Sequence, residues 1–227
     1  MNKIKDVENY LKNLLFSGEI TIEELENLSV RLRDELKQPK KKNTSSFSEV
    51  EVGWYAFAGG KFSPDSDAYP NCQGVVGWVN PDKNAPEGQR GLIITPDEVE
   101  MMWSDKYYET KIKDEYDGKG NTEKLIAYGK KCKINFPAAE WCVAYCKNGV
   151  RPGEGFMPAK EQLKRIVANR MIVNPALQKI DGSELSGWIW SSSEYAYDRA
   201  WVVGARGGNV YDGSKYAGLY VRCVLAF

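Results

Sequence analysis

The sequence predicts an α+β fold, because helical patterns in its second half are followed by a run of short strands rather than alternating with them. Strand-helix alternation of the doubly wound kind is missing, and no repeat of solenoid length is visible. With 227 residues, 42% hydrophobic and 27% charged, the chain has room for one well-buried domain plus an appendage.

Taken in order, residues 3–16 place Ile4, Val7, Leu11 and Leu14 on one helical stripe, which Ser17-Gly18 ends. A second stripe follows Thr21, whose hydroxyl pairs with Glu24 in a capping box, and runs through Ile22, Leu25, Leu28, Leu32 and Leu36. Residues 1–37 are therefore expected to form a helical hairpin. A hairpin this small has little core of its own. Its exposed stripe is expected to be covered by another copy, by another protein such as a virion component, or by its own C-terminal domain.

Residues 38–49, with Pro39, three lysines and Ser45-Ser46, read as a solvated linker. From residue 50 to 227 a single ligand-binding domain is expected. Short β-type runs occupy 52–58, 74–79 and 91–94. Thr95-Pro96-Asp97-Glu98 then reads as a helix start, with proline at its first position. Residues 105–125 are polar, and 117–121 read as an exposed loop. A helix is expected from Phe136 to near Asn148-Gly149, and another from Pro158. The remainder is short strands and turns, among them the glycine-bearing 204–208 and 212–215, both read as hairpin turns.

Charge and composition exclude several function classes. Lys plus Arg equals Asp plus Glu at 31 each, which leaves no electrostatic footprint for nucleic acid or an anionic membrane. No run is long enough for membrane insertion, and the N-terminus lacks the apolar centre of a signal peptide. Synthesis in a cytoplasm is expected, with any display on a virion or surface reached by another route. The chain has no histidine, so the commonest general base is missing, and neither a metal nor a cofactor is expected. Five scattered cysteines do not make a disulfide framework.

The C-terminal region of about 188–227 interleaves two populations. Trp188, Trp190, Trp201, Val203, Val210, Tyr220, Val221 and Val224 are strand-forming and read as frame. Tyrosines with Asp, Arg, Asn, Ser and Gly between them have the composition of an adaptable contact surface.

Several pieces recur together in one group of proteins: the helix with Ala-Glu-Trp-Cys-Val-Ala-Tyr-Cys, Gly155-Phe-Met-Pro-Ala-Lys-Glu-Gln-Leu, Trp190-Ser-Ser-Ser-Glu194, Ala200-Trp201 and Tyr220-Val-Arg222 before Ala226-Phe227. On these, residues 155–227 resemble the C-type lectin-fold variable proteins of diversity-generating retroelements. They also resemble fixed-sequence relatives in bacterial surface proteins. The resemblance implies a C-type lectin-like domain with short mixed and antiparallel strands and two helices. It also implies adenine-directed mutagenesis, in which an element-encoded reverse transcriptase copies a template repeat and rewrites the 3′ end of the gene. Codons diversified in this way cannot encode Lys, Glu, Gln, Met or Trp.

The candidate variable positions are 195–199, 204–207, 209, 211–214 and 216–219, and none of them holds a forbidden type; Glu194, Trp201 and Lys215 are set aside as frame. The ligand-binding residues expected are Tyr195, Tyr197, Asp198, Arg199, Arg206, Asn209, Tyr211, Asp212, Ser214, Tyr216 and Leu219. They would meet a protein or cell-surface ligand, as in a phage receptor-binding protein; the alternative is a fixed lectin-like interaction module. The motifs of calcium-dependent sugar binding are missing. Sulfatase-activating relatives of this fold use paired cysteines and copper, but Cys142, Cys146 and Cys223 show no convergent pair in the sequence, so no catalytic residue is expected.

Overall fold

The computed structural model describes residue 21 and residues 49–227. The hairpin expected over 1–37 and nearly all of the linker expected over 38–49 lie outside the described residues. The strands are β1 (Tyr55–Phe57), β2 (Lys61–Ser63), β3 (Cys72–Val79), β4 (Gly91–Met101), β5 (Trp188–Ala196), β6 (Arg199–Gly204), β7 (Val210–Ser214) and β8 (Leu219–Ala226). They form one sheet in the order β2-β1-β3-β4-β8-β5-β6-β7. All pairings are antiparallel except β5 with β8, which is parallel. The domain is α+β, as the sequence predicts.

The C-terminal strand lies mid-sheet because it is apolar on both faces. Val221, Cys223 and Leu225 enter one core with Trp103, Phe136 and Trp190, while Val224 enters the other with Ile94, Leu163 and Leu177. Helices α1 (Gly118–Cys132) and α2 (Pro137–Ala144) supply the first core; α3 (Lys160–Ala168) and α4 (Arg170–Gln178) supply the second. In α3 the stripe is Leu163, Ile166 and Val167, all fully buried. Each such side chain contributes about 1.5–3 kcal/mol by leaving water. Among the described residues no helix is long and apolar enough to cross a membrane.

Several sequence expectations are corrected. Thr95-Pro96-Asp97-Glu98 does not start a helix but continues β4, with a shift in register against β8 between Ile94 and Glu98. Proline is tolerated at such an irregularity because no ladder donor is needed there. The buried Arg222 compensates the freed backbone, donating to the carbonyls of Pro96, Ser183 and Glu184 while its Nε donates to Glu98 at 2.9 Å. The expected loop at 117–121 is the first turn of α1, capped by Asp117, which accepts from the Gly120 N–H at 2.8 Å. Gly118 is needed there for close approach, since a Cβ would lie 2.7 Å from the Met157 carbonyl oxygen.

The helix expected to reach Asn148-Gly149 ends at Ala144, and the one expected from Pro158 begins at Lys160. Residues 170–178 form a helix that the sequence reading omitted, masked by Pro175 inside it. Four helices therefore stand among the described residues where the resemblance implies two. Residues 205–209 connect β6 to β7, one step beyond the expected 204–208, whereas 212–214 belong to β7 and the second turn begins at Lys215.

Candidate ligand-binding surface

The frame of the surface is the run Trp190-Ser-Ser-Ser-Glu194 in β5, whose five side chains are all buried. Three adjacent buried hydroxyls are costly unless partnered. Ser191 Oγ donates to the Trp201 carbonyl at 2.9 Å, Ser193 Oγ donates to the Asp114 carbonyl at 2.6 Å, and Ser192 Oγ accepts from Asn121 at 3.2 Å. The Trp190 indole donates to the Met101 carbonyl at 3.0 Å. The polar run is thus an irregular strand stitched to the segments on either side of it.

At its end stands a buried ion pair. Lys215 Nζ and Glu194 Oε1 are 2.6 Å apart, and neither side chain has any exposed surface. The same ammonium donates to the carbonyls of Tyr108 at 2.7 Å and Tyr197 at 2.9 Å. Glu194 in turn accepts from the backbone N–H groups of Thr110 at 2.9 Å and Lys111 at 2.7 Å. Burial pulls the Lys215 ammonium below the usual lysine range, and the Glu194 bond opposes that shift. Three loops, 105–111, the β5–β6 turn and the β7–β8 turn, therefore converge on one pair whose hydrogen-bonding capacity is well used.

The expected contact residues stand outside this frame. Tyr195, Tyr197, Tyr211 and Tyr216 are 45%, 58%, 57% and 46% exposed. Tyr195 packs edge-on against Trp201 at 4.6 Å. Arg199 donates to the Asp212 carboxylate at 2.6 Å and also faces Asp198. Tyr211 does not join them: it lies across from Val202, whereas Asp212 lies across from Trp201, so the two point to opposite faces of the edge strand. It meets Trp188 edge-on at 5.0 Å, beside a cleft of about 280 Å³ lined by Trp188, Arg206 and Asn209.

The residues therefore divide into two patches flanking β7. Leu219 belongs to neither, since it is half-buried against the first core and pairs with Met101. Trp188, read as frame, is 39% exposed and belongs to the second patch.

Sequence reasoning missed Tyr107. Its ring stacks on Tyr216 at 3.9 Å, stands edge-on to Tyr197 at 6.2 Å, and its hydroxyl lies 2.8 Å from Ser214 Oγ. Tyr107-Tyr108 in an otherwise polar stretch was the available signal. Cys142 and Cys223 are both free and fully buried, and their thiols face backbone carbonyls, Cys142 Sγ lying 3.8 Å from the Arg222 oxygen and Cys223 Sγ 3.5 Å from the Cys142 oxygen. Burial pushes the Cys142 thiol well above the usual range, with Cys223 adding to the shift.

No protein-family model and no curated protein matches the chain. A fimbrial protein from Bacteroides ovatus, known from its crystal structure, is similar in fold, with a TM-score of 0.62 and 17% identity. The match covers 78% of this chain and 49% of that one. The chain thus spans about half the length of that protein, and the likeness is one of fold alone.

Proposed function

We propose that residues 50–227 are a C-type lectin-like domain whose C-terminal region of about 188–227 displays a diversifiable binding surface for a protein or cell-surface ligand. In this reading the domain is a variable protein of a diversity-generating retroelement, binds without catalysis, and serves in receptor binding on a phage or a cell surface.

One observation carries the reading: the proposed frame positions Trp190, Glu194 and Lys215 are buried while most of the proposed contact positions are exposed, with Trp188 and Trp201 as exposed and half-buried exceptions among the types that diversified codons cannot encode. Trp190, Glu194 and Lys215 are of types that diversified codons cannot encode, and all three are fully buried. Tyr195, Tyr197, Arg199, Arg206, Asn209, Tyr211 and Tyr216 are of encodable types, and all are exposed. Tyrosine among small and polar residues supplies large contact area with little side-chain entropy to lose.

A second reading, a fixed interaction module on the same fold, is favoured by three positions inside the candidate set. Gly204 and Ala205 are buried, and a Cβ at Gly213 would lie 2.8 Å from the Trp190 ring. These cannot vary freely. Sequencing the DNA downstream of the gene separates the readings. The first expects a near-repeat of the last codons, differing at adenines, beside a reverse-transcriptase gene; an uninterrupted neighbourhood without such a repeat selects the fixed module.

A further inference from the structure

We infer that the binding surface has a fixed aromatic member outside the C-terminal region: Tyr107, on the loop between β4 and α1, contacts a folded protein ligand whatever residues are displayed around it. This rests on the binding surface proposed above and adds a residue that diversification of the C-terminal codons cannot reach.

Tyr107 is 40% exposed, and its ring sits among Tyr197, Ser214 and Tyr216, three of the displayed positions. Its loop, however, is held by groups that are not displayed. Glu194 accepts from Thr110 and Lys111, and Lys215 donates to the Tyr108 carbonyl. At the other end the Asp105 carboxylate accepts from the backbone and side chain of Asn135 at 3.0 and 2.6 Å, while the Asp105 N–H donates to the Asn135 carbonyl at 3.0 Å.

Replacing Tyr197, Ser214 or Tyr216 therefore removes neighbours of the ring without removing its supports. Shorter residues at 197 and 216 would uncover more of it. A preorganised tyrosine offers an apolar face and a hydroxyl at low ordering cost, the property that makes such residues dominate protein interfaces. Tyr107, Tyr197 and Tyr216 keep roughly half their surfaces open, which suits a broad epitope better than a small ligand that must be enclosed.

The test uses the full chain in a display library with NNC codons at 195, 197, 198, 199, 206, 209, 211, 212 and 216, selected against biotinylated lysozyme. Binders are expected, and introducing Tyr107→Ala into them should weaken most by about tenfold or more without lowering their melting temperature. Tyr107→Phe should keep most of the affinity, because the ring remains. Hydroxyl-radical footprinting should find Tyr107 protected by lysozyme, a result that a purely supporting ring would not produce. Losses below about twofold across the binders, or an unprotected Tyr107, would overturn the inference and leave the proposed function standing. A library that returns no lysozyme binder overturns the proposed function itself.

Discussion

Lys215 and Glu194 meet with neither side chain exposed, so removing one partner strands the other charge in the interior. Glu194→Gln or Lys215→Met should each cost about 3–5 kcal/mol in chemical unfolding, because the remaining ion loses its counter-charge. The paired change Glu194→Gln with Lys215→Met should recover part of that loss; costs that simply add would show that the two groups act independently. Gly213→Ala is a different failure. Its new methyl would meet the Trp190 ring, itself fully buried and tied to Met101, so the strand must shift, at about 1–3 kcal/mol. Asp97 contributes to acid behaviour. Burial raises its carboxyl pKa, but bonds from Lys147 and Tyr145 outweigh this and hold it below the usual carboxylate range. The unfolded chain therefore binds more protons there, and the contribution of Asp97 is present above the unfolded carboxylate range and lost as pH falls through its folded value. Melting temperatures of the parent and Asp97→Asn should differ near neutrality and converge on acidification; a gap that persists in acid would rule this out.

At the scale of elements, the four displayed tyrosines test whether β5, β6 and β7 present surface or core. Replacing Tyr195, Tyr197, Tyr211 and Tyr216 together by alanine should shift stability by about 0.5 kcal/mol or less per site, well under a core deletion, since each is about half exposed. A thermal scan showing loss of cooperative unfolding would place them in the core instead. The strands 74–79 and 91–94 and the alternation of the C-terminal region were legible because apolar period and burial agree there. What stayed hidden depended on contacts distant in sequence. Pro96 reads as a helix start until Arg222, far along the chain, is seen to satisfy the carbonyls around it. Residues 117–121 read as loop because glycine and polar residues dominate, yet Asn121 and Thr122 are buried against Ser192 and Met157. The candidate surface divided in the same way. Its tyrosines were visible as composition, whereas their separation onto two faces of β7, and the presence of Tyr107 among them, follow from register and loop closure.

For the whole molecule, the proposed binding surface, made of partly exposed tyrosines and the Arg199–Asp212 pair, would offer a modest contact area per copy. Single-site affinity is then limited, because association must first overcome lost rigid-body freedom and ordering of side chains. Several copies held together change this arithmetic, since the second contact becomes intramolecular and avidity rises by about 10²–10⁴ without any new interaction. The apolar stripes read in the sequence of residues 1–37 make this segment the proposed means of holding copies together. Light scattering should therefore find more than one copy per particle for the full chain and one copy for a chain shortened to begin at Ser46. The shortened chain should keep the melting temperature of its domain, because among the described residues both hydrophobic cores are built from residues 50–227. A full chain that scatters as a single copy would remove the N-terminal segment as the source of avidity and leave attachment to a different protein, or covering by its own C-terminal domain, as the remaining readings.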